Sequence, residues 1–197
     1  MADTVQIDAH LTIDGDPYDL LWLDARELVD AIGVLRAELT DHEGGPDPAA
    51  LVGKPAVVEL MREDGSQTRT IAGYVAQAER ETTRGDAETG TRIVVRPRLH
   101  RLTQRADCRV FQDMPAPDIV KKVLAGAGVP EDAQRWQLAG DYPKRTYVTQ
   151  YRETDAAFVA RLLSEEGISF TVDSSSGADV VVFFDRNLGA IDGDATL

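Results

Sequence analysis

Few residues in this sequence have the type and spacing that metal binding or catalysis requires. The three histidines, His10, His42 and His100, are scattered, and none has a second ligand three or four positions away as zinc sites usually do. The single cysteine, Cys108, lies between an acid and an arginine, which is compatible with a perturbed thiol, although a partly buried structural thiol is favoured. We therefore expect no metal or cofactor at these residues.

Three short motifs resemble ligand-binding loops but lack what such loops need. Residues 13–16 and 191–194 share the sequence Ile-Asp-Gly-Asp. Calcium-binding loops need more oxygen ligands at fixed spacings, so both segments are interpreted as turns. The Gly-Ala-Gly run at 126–128 follows a predicted helix, whereas a phosphate loop precedes one. No nucleophile elbow occurs, and we expect the protein not to be an enzyme.

The most unusual charge pattern is a basic segment in a chain whose net charge is −13. Between residues 92 and 109 there are six arginines and one acid. The arginines are Arg92, Arg96, Arg98, Arg101, Arg105 and Arg109. One interpretation is a strand whose polar face carries arginines; the other is an electrostatic seam that faces an acidic partner or a neighbouring subunit. Nucleic-acid binding is disfavoured, because no aromatic residues are interleaved with the arginines.

Two further charges lie where a helix disfavours them. Glu165 and Glu166 fall at the carboxyl end of a predicted helix, where the helix dipole makes negative charge unfavourable by about 1 kcal/mol or less. Either solvent screens this cost, or a cationic partner offsets it, such as an arginine from the basic segment.

The composition is that of a folded protein without a spanning helix. The chain has 197 residues, of which 43% are hydrophobic, which suits one large domain or two small ones. A single cysteine excludes an internal disulfide. The longest apolar runs, such as residues 180–184, are much shorter than the roughly 20 residues of a membrane-spanning helix. The first residues also lack the features of a signal peptide.

The first half of the chain predicts β structure, because apolar and polar residues alternate in several short runs. The predicted strands cover residues 5–13, 56–60, 70–75 and 91–100, and residues 20–39 favour a strand, a short helical turn and another strand. An Asp-Gly pair at 64–65 marks a hairpin, and the last strand would carry its arginines on one face. We expect a small β-barrel over residues 1–108.

The second half predicts helices as well as strands. Apolar stripes indicate helices over residues 117–125 and 154–166, the second with Thr154 as N-cap and Gly167 as its end. Residues 168–172 and 180–185 predict a hairpin. We therefore expect an α+β, β-rich protein in which residues 109–197 form a helix-containing segment that is truncated at its C-terminus.

Two stretches of the chain are long, ordered and correctly spaced for one known family. Residues 98–113 read RLHRLTQRADCRVFQD; residues 142–145 and 150–168 read YPKR and QYRETDAAFVARLLSEEGI. The first resembles the segment of the VgrG family, the spike proteins of type VI secretion systems, in which a strand runs into a helix. The second stretch resembles the segment that comes next in VgrG sequences. Weaker similarities lie at residues 51–56 and 71–73.

This resemblance implies a fold like that of the contractile-phage baseplate hub, with small β-barrels and inserted helices that assemble as a homotrimer. Members of the family sit on the hexameric tube of the protein Hcp, together with baseplate components and effectors. The implied function is to dock the trimeric spike onto this tube for contractile delivery of effectors. The implied location is the bacterial cytoplasm during assembly, followed by translocation without a signal peptide.

The chain departs from the family pattern in three respects. Ser169 and Thr171 replace aromatic residues on either side of Phe170, and the match over the N-terminal barrel is loose. The downstream OB-fold and β-helical needle are missing, so no piercing function is implied for these residues. Within the family's hub, we expect Arg96, Arg98 and Arg101 at or near a subunit or tube contact.

Two other functions remain open. A hub protein of a phage tail or an extracellular contractile injection system would have the same fold and a different tube partner. An enzyme, such as a cell-wall hydrolase on an α+β scaffold, would need a convergent polar pocket that the sequence does not indicate.

Overall fold

The computed structural model describes residues 7–40, 45–62, 67–81 and 90–186, which form twelve strands and three α-helices. The strands are β1 (Ile7–Ile13), β2 (Asp16–Tyr18), β3 (Leu20–Arg26), β4 (Val34–Thr40), β5 (Pro55–Arg62), β6 (Gln67–Glu81), β7 (Gly90–Arg96), β8 (Ala106–Met114), β9 (Gln134–Gln137), β10 (Arg145–Thr154), β11 (Ser169–Asp173) and β12 (Val180–Phe184). The helices are α1 (Pro48–Leu51), α2 (Ala116–Gly126) and α3 (Asp155–Glu166), with 3-10 turns at Arg98–Thr103 and Glu131–Ala133. The expected β-rich α+β architecture is confirmed.

Strands β1 to β7 form one antiparallel sheet in the order β2-β1-β5-β6-β7-β4-β3. The expected hairpin is confirmed, since β5 and β6 pair antiparallel; its Asp-Gly turn lies outside the described residues. Strands β3 and β4 confirm the expected strand-turn-strand over 20–39, although the connection is a turn and not a helix. Among the described strands no pairing joins β2 to β3, so the expected barrel is corrected to an open, curled sheet.

Alternating apolar residues explain why this sheet buries one face. Leu11 and Ile13 of β1, and Ile93 and Val95 of β7, point inward and are at most 3% exposed. They pack with apolar residues of β4, β5 and β6 in a core of the first half. The period of two along each strand therefore sets both the register and the core.

The second half contains a two-stranded ribbon, a three-stranded sheet and two helices. The ribbon pairs β8 with β10, and the sheet has the order β11-β12-β9. The expected hairpin of β11 and β12 is confirmed, but the parallel pairing of β9 with β12 was not predicted. Helices α2 and α3 bury their apolar stripes in a second core, in which Phe158 of α3 stacks on Phe111 of β8 at 5.7 Å between ring centroids. The division into domains at residue 108 stays a prediction.

Both predicted helices are confirmed, with ends that the sequence explains. The hydroxyl of Thr154 accepts a hydrogen bond from the backbone N–H of Ala157, so it caps the start of α3. Gly167 ends this helix with φ of +66°, a left-handed conformation that favours glycine. Helix α2 begins after Pro115, which lacks the N–H that a helix start leaves unpaired anyway.

The strand expected over residues 91–100 is shorter than predicted. Strand β7 ends at Arg96, and Pro97 starts a 3-10 turn that carries Arg98 and Arg101. Leu99 and Leu102 of this turn are buried in the second core, at 3% and 1% exposure. The chain therefore passes between the two cores within the basic segment, and its arginines do not share one strand face.

Gly73 is required by a close approach of two strands. A Cβ atom at this position would lie against the carbonyl oxygen of Arg96 and 2.8 Å from its carbonyl carbon, and both are backbone atoms that cannot rotate away. We expect Gly73→Ala to lower the free energy of unfolding by about 1–3 kcal/mol, as overpacking typically does. Urea denaturation followed by circular dichroism measures this change, and an unchanged midpoint would contradict the close approach.

Candidate functional site

The basic segment is the candidate site, and the structure shows where its arginines lie. Arg92 is on β7, where its Nε lies 3.3 Å from a carboxylate oxygen of Glu38. That carboxylate also accepts a hydrogen bond of 2.6 Å from the indole N–H of Trp22. Of the other five, Arg96 is the last residue of β7, Arg98 and Arg101 lie on the 3-10 turn, Arg105 directly precedes β8, and Arg109 lies on β8.

The predicted interface residues Arg96, Arg98 and Arg101 each contact a different element. Arg96 donates to the carbonyl of Gly33, between β3 and β4, at 3.1 Å. The Nε of Arg98 donates to Asp179, just before β12, at 2.9 Å, and the backbone N–H of Arg98 donates to the other oxygen of that carboxylate. Burial lowers the pKa of Arg96, and nearby Arg36 adds to this effect. The Arg98–Asp179 pair ties the turn after the first sheet to the second half, whereas the Arg96–Gly33 bond lies within the first half.

Arg101 is the most accessible of the three. Its guanidinium donates to the carbonyl of Gly128 at 3.1 Å and lies 5.4 Å from the centre of the Tyr74 ring, yet the residue is exposed, whereas Arg96 and Arg98 are half-buried. Of the three arginines, Arg101 therefore presents the most charge to a partner. All three residues lie in one short stretch of chain, at the point where it passes between the two cores.

Arg105 and Arg109 surround a carboxylate that the sequence did not single out. Asp155, the first residue of α3, has no exposed surface. Arg105 donates to one of its oxygens from Nε at 3.1 Å and from a terminal nitrogen at 2.9 Å. Arg109 donates to the other oxygen, as does the amide of Gln150 at 2.9 Å. Gln150, which is also fully buried, in turn accepts from the Nε of Arg109 at 2.8 Å.

This arrangement, the Asp155 network, consists of Asp155, Arg105, Arg109 and Gln150. It joins the start of α3 to both strands of the ribbon, and the backbone N–H of Asp155 donates to the carbonyl of Arg105 at 3.0 Å. A buried carboxylate is tolerated only when its lone pairs are satisfied, and here two guanidinium groups and an amide satisfy both oxygens. Two of the six arginines are therefore committed to internal structure.

Glu165 and Glu166, at the end of α3, have a cationic partner, so the interpretation in which a cation offsets their unfavourable position is confirmed. Arg145, at the start of β10, donates to Glu165 and Glu166 at 2.5 Å each. Arg161 adds a contact of 3.3 Å to Glu165 and one of 2.7 Å to Glu153. The partner does not come from the basic segment, so that part of the interpretation is wrong. The hydrogen bond from Arg145 lowers the pKa of Glu165, and the one from Arg161 adds to this effect.

Other titratable groups serve local structure. Asp185 accepts hydrogen bonds from the N–H groups of Ala139 and Gly140 and from the hydroxyl of Tyr142 at 2.8 Å. Burial, together with that hydrogen bond, raises the pKa of Tyr142 to about 12. Burial lowers the pKa of His100, and nearby Arg96 adds to this effect.

The described ranges contain no cluster of three or more His, Cys, Asp or Glu side chains that is placed to hold a metal ion. In the same ranges, no helix is long and apolar enough to cross a membrane. The sole cysteine, Cys108, is exposed on the ribbon, so the expected partly buried thiol is wrong. The contacts thus define a β-rich scaffold in which arginines hold separate elements together.

Comparison with known proteins gives this scaffold a family. A model of the phage tail baseplate hub (GPD) family matches residues 30–197. The type VI secretion system spike proteins VgrG5 and VgrG4b of Pseudomonas aeruginosa are 35% and 36% identical over 85% and 89% of this chain. The chain covers 21% of each relative, so it spans about a fifth of their length.

A solved structure agrees with these relatives. The E. coli c3393 protein, described as a component of the type VI secretion system with structural similarity to the T4 bacteriophage tail proteins gp27 and gp5, matches with a TM-score of 0.79 and 26% identity. The match covers 90% of this chain and 49% of that one. The chain therefore belongs to the phage tail baseplate hub family. It is a hub-like structural segment similar to VgrG spike proteins, which confirms the resemblance found in the sequence.

The Asp155 network predicts a large loss of stability when the carboxylate is neutralised. Asp155→Asn leaves two guanidinium groups facing a neutral amide, and because their side chains are 44% and 23% exposed, the cost is mainly that of the lost charged hydrogen bonds, about 1.5–3 kcal/mol. Urea denaturation measures the change. The matched control is Asp14→Asn, which removes a pair with Lys54 in which both side chains are about half exposed; it should cost less than about 1 kcal/mol. Equal effects of the two substitutions would contradict the network.

The ion pairs of Glu165 predict a loss of stability in acid. Because its pKa in the folded protein lies below the ordinary value of 4.5, the pairs contribute fully above that pH and lose their contribution as the pH falls through the lowered pKa. Glu165→Gln should therefore flatten the fall in unfolding free energy between about pH 5 and about pH 3. Thermal melts across this range measure it, and curves parallel to those of the unsubstituted protein would refute the assignment.

Proposed function

We propose that this chain is the hub region of a type VI secretion spike, and that it docks a trimeric spike onto the Hcp tube for contractile delivery of effectors. The observation that carries the proposal is the hub family match over residues 30–197, together with spike relatives at 35% and 36% identity. The match covers about a fifth of the length of these relatives, so tube docking is assigned to the hub, and other parts of a spike lie outside it.

The proposed role is structural and not catalytic. The Asp155 network, the Arg98–Asp179 pair and the Arg145 pairs fix the relative positions of strands and helices through oriented, charge-assisted hydrogen bonds. A docking part that transmits the force of contraction benefits from such rigid joints. The proposed partners are two further copies of the spike protein, the Hcp tube, baseplate components and effectors. Assembly in the bacterial cytoplasm, followed by translocation, belongs to the same proposal.

Within this function, we assign Arg96, Arg98 and Arg101 to a subunit or tube contact. Arg96 and Arg98 have part-buried partners inside the molecule and position the turn, whereas Arg101 is exposed and offers its charge outward. Charged groups at the rim of an interface mainly set orientation and the rate of encounter. Arg101 is therefore the residue at which to test the contact.

A second candidate function is that of a hub in a phage tail, because the matching family model describes phage tail baseplate hubs. It predicts the same structure and a different tube protein. Titration of the chain with purified Hcp, and in parallel with a phage tail tube protein, separates the two. Tight binding to the phage protein alone would favour the second candidate.

Charge reversal at Arg101 tests the proposed contact. Arg101→Glu should weaken binding to Hcp by about fivefold at low salt, which corresponds to the roughly 1 kcal/mol of a favourable exposed ion pair. The difference should vanish at 1 M salt, where the screening length is about 3 Å. Biolayer interferometry on immobilised Hcp measures both affinities.

The matched control is Arg62→Glu, which reverses an exposed arginine at the end of β5 and should leave binding unchanged. Arg98→Glu is unsuitable as a test, because it would place a second acid against the buried Asp179 and disturb the fold. If Arg101→Glu and Arg62→Glu bind Hcp as tightly as the unsubstituted chain, the assignment of Arg101 to a tube contact is wrong.

A further inference from the structure

The connection between β3 and β4, residues 27–33, extends from the first half of the molecule onto the second and is named the clasp. Both of its ends are fixed to strands of the first half. Arg69 of β6 donates from Nε to the carboxylate of Glu27 at 2.7 Å. Arg96 of β7 donates to the carbonyl of Gly33 at 3.1 Å. Because a charged donor holds each end, the tip of the clasp is presented at a defined place.

Asp30, at the tip of the clasp, binds the edge of β11 in the second half. Its backbone N–H donates to the carbonyl of Phe170 at 2.9 Å. Its carboxylate accepts from the backbone N–H of Phe170 at 2.9 Å and from the hydroxyl of Ser169 at 3.1 Å. Strand β11 lies at one end of the order β11-β12-β9, so this side of it is a sheet edge. One residue therefore satisfies both backbone groups of Phe170, as a neighbouring strand would.

The conformation of Asp30 makes this contact depend on the residue type. Its φ is +59°, in the left-handed region, which most residues avoid and which aspartate and asparagine tolerate. Glycine adopts the same conformation freely but has no side chain that accepts a hydrogen bond. Alanine lacks the acceptor and also disfavours the conformation. Substitutions at this one position therefore separate the backbone conformation from the hydrogen bonds.

Packing beneath the clasp is incomplete. None of residues 27–33 is fully buried, and Leu28 and Val29 are 65% and 58% exposed. Ile32 packs against the second core, but a cavity of about 160 Å³ lies beside it, with Leu99 and Phe170 in its apolar lining. A segment that buries little apolar surface opens more easily than a packed core. The hydrogen bonds of Asp30 are therefore the main restraint on the tip.

We propose that the clasp is a conformational device that opens at Asp30 without unfolding either core, and so sets how firmly the two halves are held together. When closed, it adds a connection to the one at Pro97, where the chain passes between the halves and Arg98 binds Asp179. When it opens, the backbone groups of Phe170 are freed at the edge of β11, and the chain at Pro97 can act as a hinge.

Hydrogen exchange detected by NMR tests this opening, because it measures the exchange rates of single amides. The amides of Ile93 in β7 and Val123 in α2 report on the two cores, in which these side chains are 1% and 0% exposed. In the unsubstituted chain, the amide of Phe170 should exchange at least about tenfold faster than both, since a local opening needs less free energy than unfolding of a core. Equal rates at the three amides would overturn the proposal.

Substitutions of Asp30 give the sharper result. Asp30→Ala and Asp30→Gly should each raise the exchange rate of the Phe170 amide by about a further tenfold, as loss of hydrogen bonds to a carboxylate does, and should leave Ile93 and Val123 unchanged. Asp30→Asn keeps the conformation and one acceptor oxygen, so its rate should lie between those of the unsubstituted chain and Asp30→Gly. If Asp30→Ala does not fold, the comparison of Asp30→Asn with Asp30→Gly carries the test.

The matched control is Asp14→Gly. Asp14 is also an aspartate in the left-handed region, with φ of +55°, but it lies in the turn between β1 and β2 and pairs with Lys54 of the first half. This substitution should leave the exchange rate of the Phe170 amide unchanged. The proposal is overturned if Asp30→Gly accelerates Phe170, Ile93 and Val123 equally, or if it leaves Phe170 as slow as the control does.

The clasp is a contact within one chain, so it does not depend on the proposed tube partner. Binding of Hcp is measured separately on the unsubstituted chain. A chain that shows the expected exchange rates but does not bind Hcp keeps the clasp and loses the tube partner. A chain that binds Hcp while Phe170 exchanges as slowly as the two cores keeps the proposed function and loses the clasp.

Discussion

The burial of Asp155 constrains how the second half of the molecule is built. A carboxylate without exposed surface needs charged donors on both oxygens, because desolvation of an unpaired ion costs several kcal/mol. Arg105, Arg109 and Gln150 meet this need only if β8, β10 and the start of α3 lie in fixed relative positions. The ribbon therefore keeps one face on the helices and leaves the other face open.

The same logic extends along the basic segment. Arg98 satisfies the buried Asp179 before β12, and Arg96 reaches the carbonyl of Gly33 between β3 and β4. Both contacts lie close to the point where the chain passes from the first core to the second. Most arginines of the basic segment therefore make contacts inside the molecule. Of Arg96, Arg98 and Arg101, Arg101 is the one most exposed to a partner.

Local structure could be predicted from the sequence, and long-range charge pairing could not. Alternation and caps located the β5–β6 hairpin, α2 and α3 correctly, because period and capping are local properties. Strand β9 was missed because four mostly polar residues carry no clear period, and its partner is distant in the chain. The partners Asp155 and Asp179 were missed because an acid at a helix start or beside a turn reads as an exposed residue. The strand predicted over residues 91–100 was too long, because the prediction did not allow Pro97 to end it.

The location of the chain on an assembled particle tests the central claim most directly. Electron microscopy of Hcp tubes incubated with this chain should show added density at tube ends, with threefold symmetry and the two cores resolved as adjacent lobes. Density along the sides of the tubes, or tube ends that remain bare at saturating concentration, would contradict the assignment of this chain as the docking hub of a spike.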